Sequence, residues 1–599
     1  MKKVLLATLL AAVSAGAVQA QVFQYLYGTT NPDVLTDGHN TNLGGLPGHF
    51  LVAPSQTTPF LFSATRTNNV GVAIPAGVPY FNNLYRMSDV PIPNGAPNLR
   101  IQEVRSVEIN NGNAYGLAGS YVRGSATANT MGVFYQQVNP AGALVAATTT
   151  GYFFNGPAST YSDVHVKKII NSTQVPGDMY ILGTLTEAVG GYSRIFVLRI
   201  NQAGVLLWSA VYRLDFSSPT NTDIPYDLVE SVQMRGGIFE LMVVGAHFPV
   251  ATGPSDAFLM RLNSNTGVLI NPIQLYGTTS GSEGFTCIKT SANAAVDPLN
   301  AGYVIGGYVP SSASTAGLLD YWFIALNQAG AVSWSNTFDY VNPGAPATSK
   351  FCNDLIERQV NPGVFEYFLA GTVDNGVFGG QDMMVIHTNQ IGNGLPLGQY
   401  SYGTQNNQQC IRIDQSNLAA AGPGIAMYGS SFRIPQPPAP LGNIDLYLVK
   451  AAFNGASACD YKVIDPKQNP GPGFLTSKSS DFTNRFFSYR MYATNVTTMN
   501  EFRICFAATP PATAKVLPEA PVNMELSPNP SSGLIELHTD AGLEETVVTI
   551  LNTVGQEVGR QHIDASGTTL IDMSHLPAGM YLLRAELSGQ CVVRKVMKN

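Results

Sequence analysis

The sequence predicts an all-β protein, a seven-bladed β-propeller of four-stranded blades followed by a small C-terminal β-sandwich. Three observations lead to this prediction. A short turn motif recurs about every 63 residues, the composition favours strands over helices, and the repeat stops near Asp465, well before the end of the chain. The first and last observations divide the chain, and the second sets its fold class.

The composition is that of a chain made of short strands and turns. The chain has 599 residues, more than one hydrophobic core usually serves, with 12% charged residues, 59 Gly and 38 Pro. Tyr and Phe supply most of the aromatic side chains, and such residues favour strands. The net charge is −7 and no basic block occurs, which argues against a nucleic-acid partner.

The repeat is marked by glycines in two kinds of segment. The turn glycines, as in "NQAG", are separated by 65, 62, 63, 63, 62 and 63 residues, and they are Gly77, Gly142, Gly204, Gly267, Gly330, Gly392 and Gly455. The strand glycines, as in "YFLAGT", run in step, and they are Gly119, Gly183, Gly245, Gly307, Gly371 and Gly429. Asn bonds its own backbone in a tight turn and Gly takes the positive φ there, so the first set predicts hairpin turns.

Each repeat reads as four short strands, which is the size of a propeller blade, and seven repeats span residues 21–465. Two stacked β-sandwiches or a solenoid are the alternatives. The period is long for one solenoid coil, and a sandwich needs no series of equal units. The first repeat matches poorly, and the N-terminal strand "YLYGTT" would complete the last blade.

The repeat resembles a bacterial β-propeller repeat. The best matches are "DAFLMRLNSNTG" (Asp256 to Gly267), followed by "LYGTT", and "DYWFIALNQAG", followed by Trp334. The repeat pattern is roughly Asp-Ala-Phe-x-x-Lys-Leu. Its basic position is occupied by Arg261 in the first copy and by Ala325 in the second. The resemblance covers most of residues 110–460, and it implies a fold and no activity.

Residues 1–20 have the pattern of a secretory signal peptide. Lys2 and Lys3 precede an apolar stretch, and cleavage after Ala20 would start the mature chain at Gln21. A buried helix or a membrane anchor is the alternative, but the apolar stretch is short for a span. No other segment is apolar enough to cross a bilayer, so we expect no transmembrane segment.

The C-terminal part divides into a cap or extension at 466–506, a Pro/Ala-rich linker at 507–521 and a segment of alternating strands at 522–599. The last segment contains "SPNPSSG", "NTVGQEV", "LPAGMYLLR" and, at its end, "KVMKN". These motifs resemble the C-terminal sorting domain of the type IX secretion system, type A-like. The residues that carry the resemblance are Pro528, Asn529, Pro530, Gly533, Gly555, Leu576, Pro577, Gly579, Tyr581 and Lys595.

The resemblance implies a route and a partner. The chain would cross the inner membrane by its signal peptide and then the outer membrane through recognition of this domain by the type IX machinery. In the family the domain is usually removed, and the cargo is released or linked to surface lipopolysaccharide. We therefore expect a protein that is secreted or attached to the outer cell surface, by way of the periplasm.

Six cysteines in an exported chain raise the question of disulfides. Cys287, Cys352 and Cys410 hold equivalent repeat positions on different blades, so we expect small buried apolar side chains rather than a disulfide. Cys459 and Cys505 flank the end of the repeat region and are the pair that could form one. Cys591 lies outside the sorting pattern and is assigned no role.

No catalytic or cofactor motif is apparent: His-Glu-x-x-His, Gly-x-Ser-x-Gly, a phosphate loop and Cys-x-x-Cys are all missing from the sequence. We predict no cofactor, no metal and no catalytic residue. Polar residues on the strand nearest the axis could instead converge at the channel mouth, either as a ligand site or as the lining of a water-filled channel. They are Glu103, His165, Asp227, Lys289, Asn353, Asp354 and Arg412.

Two functions remain open. The first is a non-catalytic module that binds an extracellular protein or glycan, which uniform blades without long inserted loops favour. The second is a hydrolase or lyase acting on extracellular polysaccharide or peptide, which needs two carboxylates, or a nucleophile and a base, within reach of each other. Carboxylates of Glu103, Asp227 and Asp354 within about 10 Å at one mouth would favour the second.

Overall fold

A computed structural model provides the structure of the protein. The structure describes residues 23–28, 34–43, 46–55, 61–68, 81–88, 99–109, 113–123, 130–154, 161–214, 220–250, 253–278, 281–311, 318–340, 349–374, 376, 378, 380–403, 407–416, 423–432, 444–457, 461–463, 467–478, 481–483, 486–490, 492–498, 500–506, 524–539, 546–552, 557–563, 568–587 and 590–599. The predicted signal peptide with its cleavage site, the linker at 507–521, Gly77, Gly555 and Cys459 lie outside these ranges, and so does the suggested pairing of Cys459 with Cys505.

The fold is all-β, and the chain divides into two compact units, residues 1–509 and 510–599. The first unit begins with β1 (Phe23–Gly28). The next strands form antiparallel groups of four in chain order: β2 (Asp37–Thr41), β3 (Gly48–Pro54), β4 (Leu61–Asn68) and β5 (Phe81–Ser88); β6 (Leu99–Glu108), β7 (Tyr115–Arg123), β8 (Thr130–Val138) and β9 (Leu144–Phe154); β10 (Tyr161–Asn171), β11 (Asp178–Glu187), β12 (Ser193–Asn201) and β13 (Leu206–Arg213).

The later groups repeat this arrangement. They are β14 (Thr222–Glu230), β15 (Glu240–Phe248), β16 (Asp256–Asn263) and β17 (Leu269–Gly277); β18 (Gly284–Ser291), β19 (Gly302–Pro310), β20 (Leu319–Leu326) and β21 (Val332–Asp339); β22 (Lys350–Asn361), β23 (Val364–Val373), β24 (Asp382–Asn389) and β25 (Gly394–Tyr402); and β26 (Asn407–Ser416), β27 (Gly424–Phe432) and β28 (Ile444–Ala452). The last group has three consecutive strands, and β1 pairs with β28 as its fourth, in agreement with the predicted role of the N-terminal strand.

Seven short strands then follow, which together we call the belt: β29 (Tyr461–Val463), β30 (Lys467–Pro470), β31 (Gly473–Lys478), β32 (Asp481–Thr483), β33 (Phe486–Arg490), β34 (Tyr492–Thr498) and β35 (Asn500–Phe506). Each belt strand pairs antiparallel with the fourth strand of a different sheet. The partners are β25, β21, β17, β13, β9, β5 and β1, so the belt visits the sheets in reverse chain order and ends on the N-terminal strand.

The predicted four-stranded unit is therefore part of a larger sheet. Within the described ranges seven sheets have five strands each, because the belt adds one strand to every repeat. The segment predicted as a cap or extension is this belt. Backbone hydrogen bonds cover the edge that each fourth strand would otherwise expose, and such bonds require no side-chain pattern that would mark the belt in the sequence.

The sheets follow one another around a ring. The first strand of each sheet lies against the first strand of the next, from β2 through β6, β10, β14, β18 and β22 to β26, and β26 lies against β2. Clusters of buried side chains join neighbouring sheets; one of them contains Tyr180 and Leu182 of β11 together with Leu241 and Val243 of β15. The arrangement is propeller-like, with the first strands at its centre.

Each described turn glycine is half of a contact between sheets, and the other half is an aromatic or polar side chain on the fourth strand of the neighbouring sheet. The described turn glycines all have positive φ, between 70° and 86°. In five cases a buried tyrosine hydroxyl of the neighbouring sheet donates to the glycine carbonyl: Tyr85 to Gly142 (2.8 Å), Tyr152 to Gly204 (2.7 Å), Tyr212 to Gly267 (2.6 Å), Tyr276 to Gly330 (2.6 Å) and Tyr402 to Gly455 (2.6 Å). The repeat thus encodes how one sheet attaches to the next.

The sixth of these contacts is made differently. Phe338 stands at the tyrosine position of β21 and has no hydroxyl, and Asn336 Nδ2 donates to the carbonyl of Gly392 instead, at 3.2 Å. Trp334 lies against the same glycine, since a Cβ built on Gly392 would be 2.4 Å from its ring. Tryptophan and glycine therefore form complementary surfaces of neighbouring sheets.

Three repeat cysteines, Cys287, Cys352 and Cys410, are buried and free, as predicted from their equivalent positions. They lie on the first strands β18, β22 and β26, next to residues that face the axis. Burial raises the pKa of the Cys352 thiol well above its usual value, and the neighbouring Cys287 adds to the effect. Burial also raises the pKa of Cys410, so the Cys352 and Cys410 thiols behave as small apolar side chains at neutral pH.

The second unit has seven described strands in two sheets. The strands are β36 (Met524–Ser527), β37 (Leu534–Thr539), β38 (Thr546–Leu551), β39 (Glu557–Ile563), β40 (Thr568–Asp572), β41 (Gly579–Leu587) and β42 (Gln590–Lys598). Their orders are β36-β37-β40 and β39-β38-β41-β42. Side chains of both sheets share one core, including Ile535, Leu537, Val548 and Leu583, as expected of a small β-sandwich.

Among the residues that the structure describes, no helix has the length and hydropathy needed to cross a lipid bilayer.

Candidate functional site

A cavity of about 250 Å³ lies where the first strands meet. Every first strand from β2 to β26 contributes to its wall, so the cavity is at the centre of the ring. Its lining residues are Asp37, Arg105, Lys167, Lys168, Tyr226, Asp227, Thr286, Asn353, Asp354, Ile411 and Arg412.

β-Bulges place many of these side chains in the wall. The pairing of the first and second strands shifts register between Val166 and Lys168, between Pro225 and Asp227 and between Cys352 and Asp354. Equivalent shifts occur in β6, β18 and β26. A bulge adds a residue to one strand and turns its side chain, so two successive side chains, such as Asn353 and Asp354, can both line the cavity.

Three aspartates of the cavity hold neighbouring first strands together. Asp37, Asp227 and Asp354 each accept a hydrogen bond from a backbone N–H of the following sheet. The donors are Ser106 N at 2.9 Å, Ile288 N at 3.0 Å and Ile413 N at 3.3 Å, respectively. Their side chains are each 3% exposed. These carboxylates are built into the wall.

Basic side chains lie in front of the aspartates. Lys168 Nζ is 3.0 Å from Asp227 Oδ1, Lys289 Nζ is 3.1 Å from Asp354 Oδ1, and Arg412 Nη1 is 2.5 Å from Asp37 Oδ1. The Lys168, Arg412 and Lys289 side chains are 12%, 18% and 29% exposed, compared with 3% for each aspartate. Among the residues that line the cavity, water therefore meets Lys168 and Arg412 more than Asp227 and Asp37.

A second group of charges, centred on Glu103, adjoins this wall. Glu103 carboxylate oxygens lie 3.1 Å from Lys167 Nζ, 3.6 Å from Arg105 Nη2 and 3.3 Å from His165 Nδ1. His165 Nε2 is also 2.9 Å from an oxygen of Asp163. Because Lys167 and Arg105 line the cavity, Glu103 and His165 stand at its edge.

The structure brings the residues predicted for the channel mouth into two connected groups. The cavity is lined by four of them, Asp227, Asn353, Asp354 and Arg412. Lys289 is paired with Asp354. Glu103 and His165 form the adjoining group. The sequence prediction missed Asp37, Arg105, Lys167, Lys168, Tyr226, Thr286 and Ile411. Alignment on Cys352 could have found several of them had each neighbouring position been included, because the bulges expose two successive residues.

Nearby cations keep three carboxylates of the site, those of Asp37, Glu103 and Asp354, ionised. Burial tends to raise the pKa of Glu103, but the hydrogen bond from His165 and the charges of Lys167 and Arg105 outweigh it and lower the pKa to about 2. Burial likewise opposes ionisation of Asp37 and Asp354. Arg412 dominates the opposing charges at Asp37 and Lys289 those at Asp354, so both pKa values fall below the usual range.

Two other groups titrate differently. The carboxylates of Asp163 and Glu103, which face the two ring nitrogens as acceptors, raise the pKa of His165 to about 9, so this imidazole is cationic at neutral pH. Asp414, which accepts a hydrogen bond from Asn40 N at 2.8 Å, has a raised pKa because burial outweighs the attraction of Arg412. Asp414 therefore holds a proton more readily than Asp354 does.

No group of three or more His, Cys, Asp or Glu side chains within the described part of the chain is arranged to hold a metal ion.

In the second unit, the sorting motif residues hold the terminal strand. Asn529 Nδ2 donates to the carbonyl of Lys595 at 2.8 Å, and Met597 N donates to Asn529 Oδ1 at 2.9 Å. Tyr581 donates its hydroxyl to the carbonyl of Pro577, also at 2.8 Å. The motifs at both ends of the segment therefore meet on β42.

Residues 525–599 match the family described as the secretion system C-terminal sorting domain. The match implies export, a location outside the cell or at its surface, and interaction with the secretion machinery. It covers most of the second unit and none of the ring. No curated protein matches the chain.

Two solved glycosidase structures are similar to the chain at low identity. An α-L-arabinofuranosidase from Fusarium graminearum, solved with an iminosugar inhibitor, has 9% identity, covers 62% of this chain and 98% of its own, and has a TM-score of 0.36. An exo-β-1,3-galactanase from Phanerochaete chrysosporium, solved with β-1,3-galactotriose, has 11% identity, covers 78% of this chain and 100% of its own, and has a TM-score of 0.28. Likenesses of this strength carry no inference about the activity of this chain.

Proposed function

We propose that the protein is a seven-bladed β-propeller that the type IX machinery exports and that binds an extracellular glycan, without catalysis, in its axial cavity. The seven described sheets, whose first strands follow one another back to the start, support the blade number. The sorting tail supports the route. In this proposal residues 1–20 are removed in the periplasm and the linker joins the propeller to its tail.

The observation that carries the binding role is that the wall carboxylates are already engaged in contacts within the protein. Asp37, Asp227 and Asp354 are occupied by backbone N–H groups and by cations, and they hold sheets together. A glycosidase needs one carboxyl that keeps a proton at working pH and a second that is free to act. The low pKa values of Asp37, Asp354 and Glu103 do not suit the first role.

A screen of residues 21–509 on an immobilised glycan array tests this function. We expect binding to a subset of glycans with no release of product. The double variant Lys168→Met, Lys289→Met should lose the signal, because it removes a cation of the wall and the cation paired with Asp354 of the wall. Arg235→Met, in the hairpin between β14 and β15, is the matched control and should bind as the wild type does. Binding that survives the double variant would place the site elsewhere.

The alternative, a hydrolase or lyase acting on extracellular polysaccharide or peptide, has one observation in its favour. Asp414 has a raised pKa, while that of nearby Asp354 is lowered, and a pair of carboxyls whose pKa values are pushed apart can divide the roles of acid and base. Product release from a polysaccharide panel, abolished by Asp414→Asn, would establish the alternative. Absence of product with the wild type would favour the binding module.

A further inference from the structure

The surface that a ligand meets in the axial cavity is cationic, although the wall contains nearly equal numbers of acidic and basic groups. The three aspartates behind it are shielded at 3% exposure, while Lys168 and Arg412 in the lining are 12% and 18% exposed. Arg105 and Lys167, both in the lining, are 17% and 22% exposed. Depth, rather than the total charge, decides which sign of charge a ligand contacts.

Several donors on this surface remain available. A lysine ammonium has three N–H donors, and Lys168 and Lys289 each have one ion-pair partner in the described part of the chain. Arg412 Nε makes no hydrogen bond there, but it is buried and lies 3.7 Å from Asp354 Oδ2, so Arg412 contributes positive charge rather than an available donor at this atom. A carboxylate has two oxygens that accept such donors, and hydrogen bonds between charged partners are stronger than neutral ones.

The titration of Lys168 agrees with this geometry. Burial lowers the pKa of Lys168, and the nearby charge of Arg412 lowers it further, with Lys289 adding to the effect. Asp227 and Asp354 oppose the shift without cancelling it. An anion bound beside this ammonium would relieve the repulsion.

Size and the remaining lining point to a sugar acid. A cavity of about 250 Å³ is smaller than the pockets of roughly 300–1,000 Å³ that hold drug-sized ligands, and it suits a single ring. Tyr226, Thr286 and Asn353 also line it. Thr286 and Asn353 donate to the carbonyls of Cys352 and Cys410, and their side-chain oxygens can still accept hydrogen bonds from sugar hydroxyls.

We infer that the axial cavity binds a hexuronate unit of an acidic glycan, with its carboxylate held by Lys168, Lys289 and Arg412. The inference rests on the proposed binding function and narrows its ligand to a carboxylated sugar. An acidic peptide would present a carboxylate without a ring of hydroxyls, and it is an outcome of the test below.

Isothermal titration of the full chain with galacturonate and glucuronate tests the inference. Galactose, glucose, N-acetylaspartate and sulfate serve as comparison ligands. We expect a hexuronate to bind at least about tenfold more tightly than its neutral counterpart and than the other two anions, and to weaken as salt is raised. Lys168→Met should weaken hexuronate binding at least about tenfold, whereas Lys168→Arg, which keeps the charge, should retain most of it.

Circular dichroism of each variant shows whether it is folded, and Arg235→Met controls for the loss of a distant charge. Any one of four results would overturn the inference. The first two are neutral sugars that bind as tightly as the hexuronates, and N-acetylaspartate or sulfate that binds more tightly. The other two are no binding of either hexuronate, and no effect of Lys168→Met in a folded protein. Binding of neutral glycans on the array together with any of these results would leave the binding function standing. Release of product would instead overturn the function itself.

Discussion

Replacing Tyr276 by Phe should lower the free energy of unfolding of the ring by about 1–3 kcal/mol. The Tyr276 hydroxyl donates to the carbonyl of Gly330 in the next sheet at 2.6 Å, and its side chain is fully buried. Phenylalanine keeps the ring in place, so the change removes one hydrogen bond and leaves a buried carbonyl without this donor. The cost is the desolvation of that carbonyl, which no packing gain offsets.

The chain contains its own comparison for this contact. Phe338 already lacks the hydroxyl, and Asn336 donates to Gly392 from a partly exposed position at 3.2 Å. Asn336→Ala should therefore cost less, about 0.5–1.5 kcal/mol, and adding Phe338→Tyr should recover part of that loss. A double-mutant cycle over these two positions measures the coupling between the two kinds of donor.

Urea unfolding followed by tryptophan fluorescence is a suitable assay, because all three tryptophans, Trp208, Trp322 and Trp334, lie in the ring. Tyr192→Phe is the control, since Tyr192 lies in the connection between β11 and β12 and its hydroxyl makes no described hydrogen bond. Two results would refute the reasoning that these hydroxyls attach the sheets. One is an unfolding midpoint of Tyr276→Phe equal to that of the wild type. The other is a loss of unfolding free energy in Tyr192→Phe equal to that in Tyr276→Phe.

Three further predictions concern the belt, a buried carboxyl and the tail. Deleting the belt should expose the edge of every sheet and cause aggregation; a monodisperse monomer in size-exclusion chromatography with light scattering would contradict the role assigned to it. Burial raises the pKa of Glu283 to about 7 despite the hydrogen bonds from Thr278, so stability should fall by up to roughly 3 kcal/mol between about pH 4.5 and 7. The folded state holds this proton over that interval and the unfolded state does not, and Glu283→Gln should flatten the slope in urea titrations at several pH values. Deleting 522–599 should trap the protein in the periplasm, and undiminished protein in the medium would count against sorting by the tail.

Much of the ring could be predicted because its determinants are local. The Asn-x-x-Gly turns form within a few residues, and the glycines have the positive φ that their sequence predicts. The period of these turns defines the repeat unit. Alignment of the units on Cys352 then placed Asp227, Asn353, Asp354 and Arg412 on strands that meet at the axis.

The belt could not be predicted from the repeat. Its strands pair with the sheets through backbone hydrogen bonds, so residues 461–506 need neither the period nor the turn motif of the sheets that they complete. The predicted unit was therefore one strand short in every sheet.

The sequence by itself determined the period, the turns, the residues of the first strands and the sorting tail, since each depends on residues close together in the chain. The tertiary structure alone decided which charges meet at the axis and how deeply each lies. Asp354 pairs with Lys289, and Asp37 with Arg412, across 65 and 375 residues of chain. The first pair forms when two consecutive sheets pack together, and the second forms only when the last sheet meets the first. Both therefore depend on the packing of whole sheets, which turns a set of mixed charges into a cavity with a cationic surface.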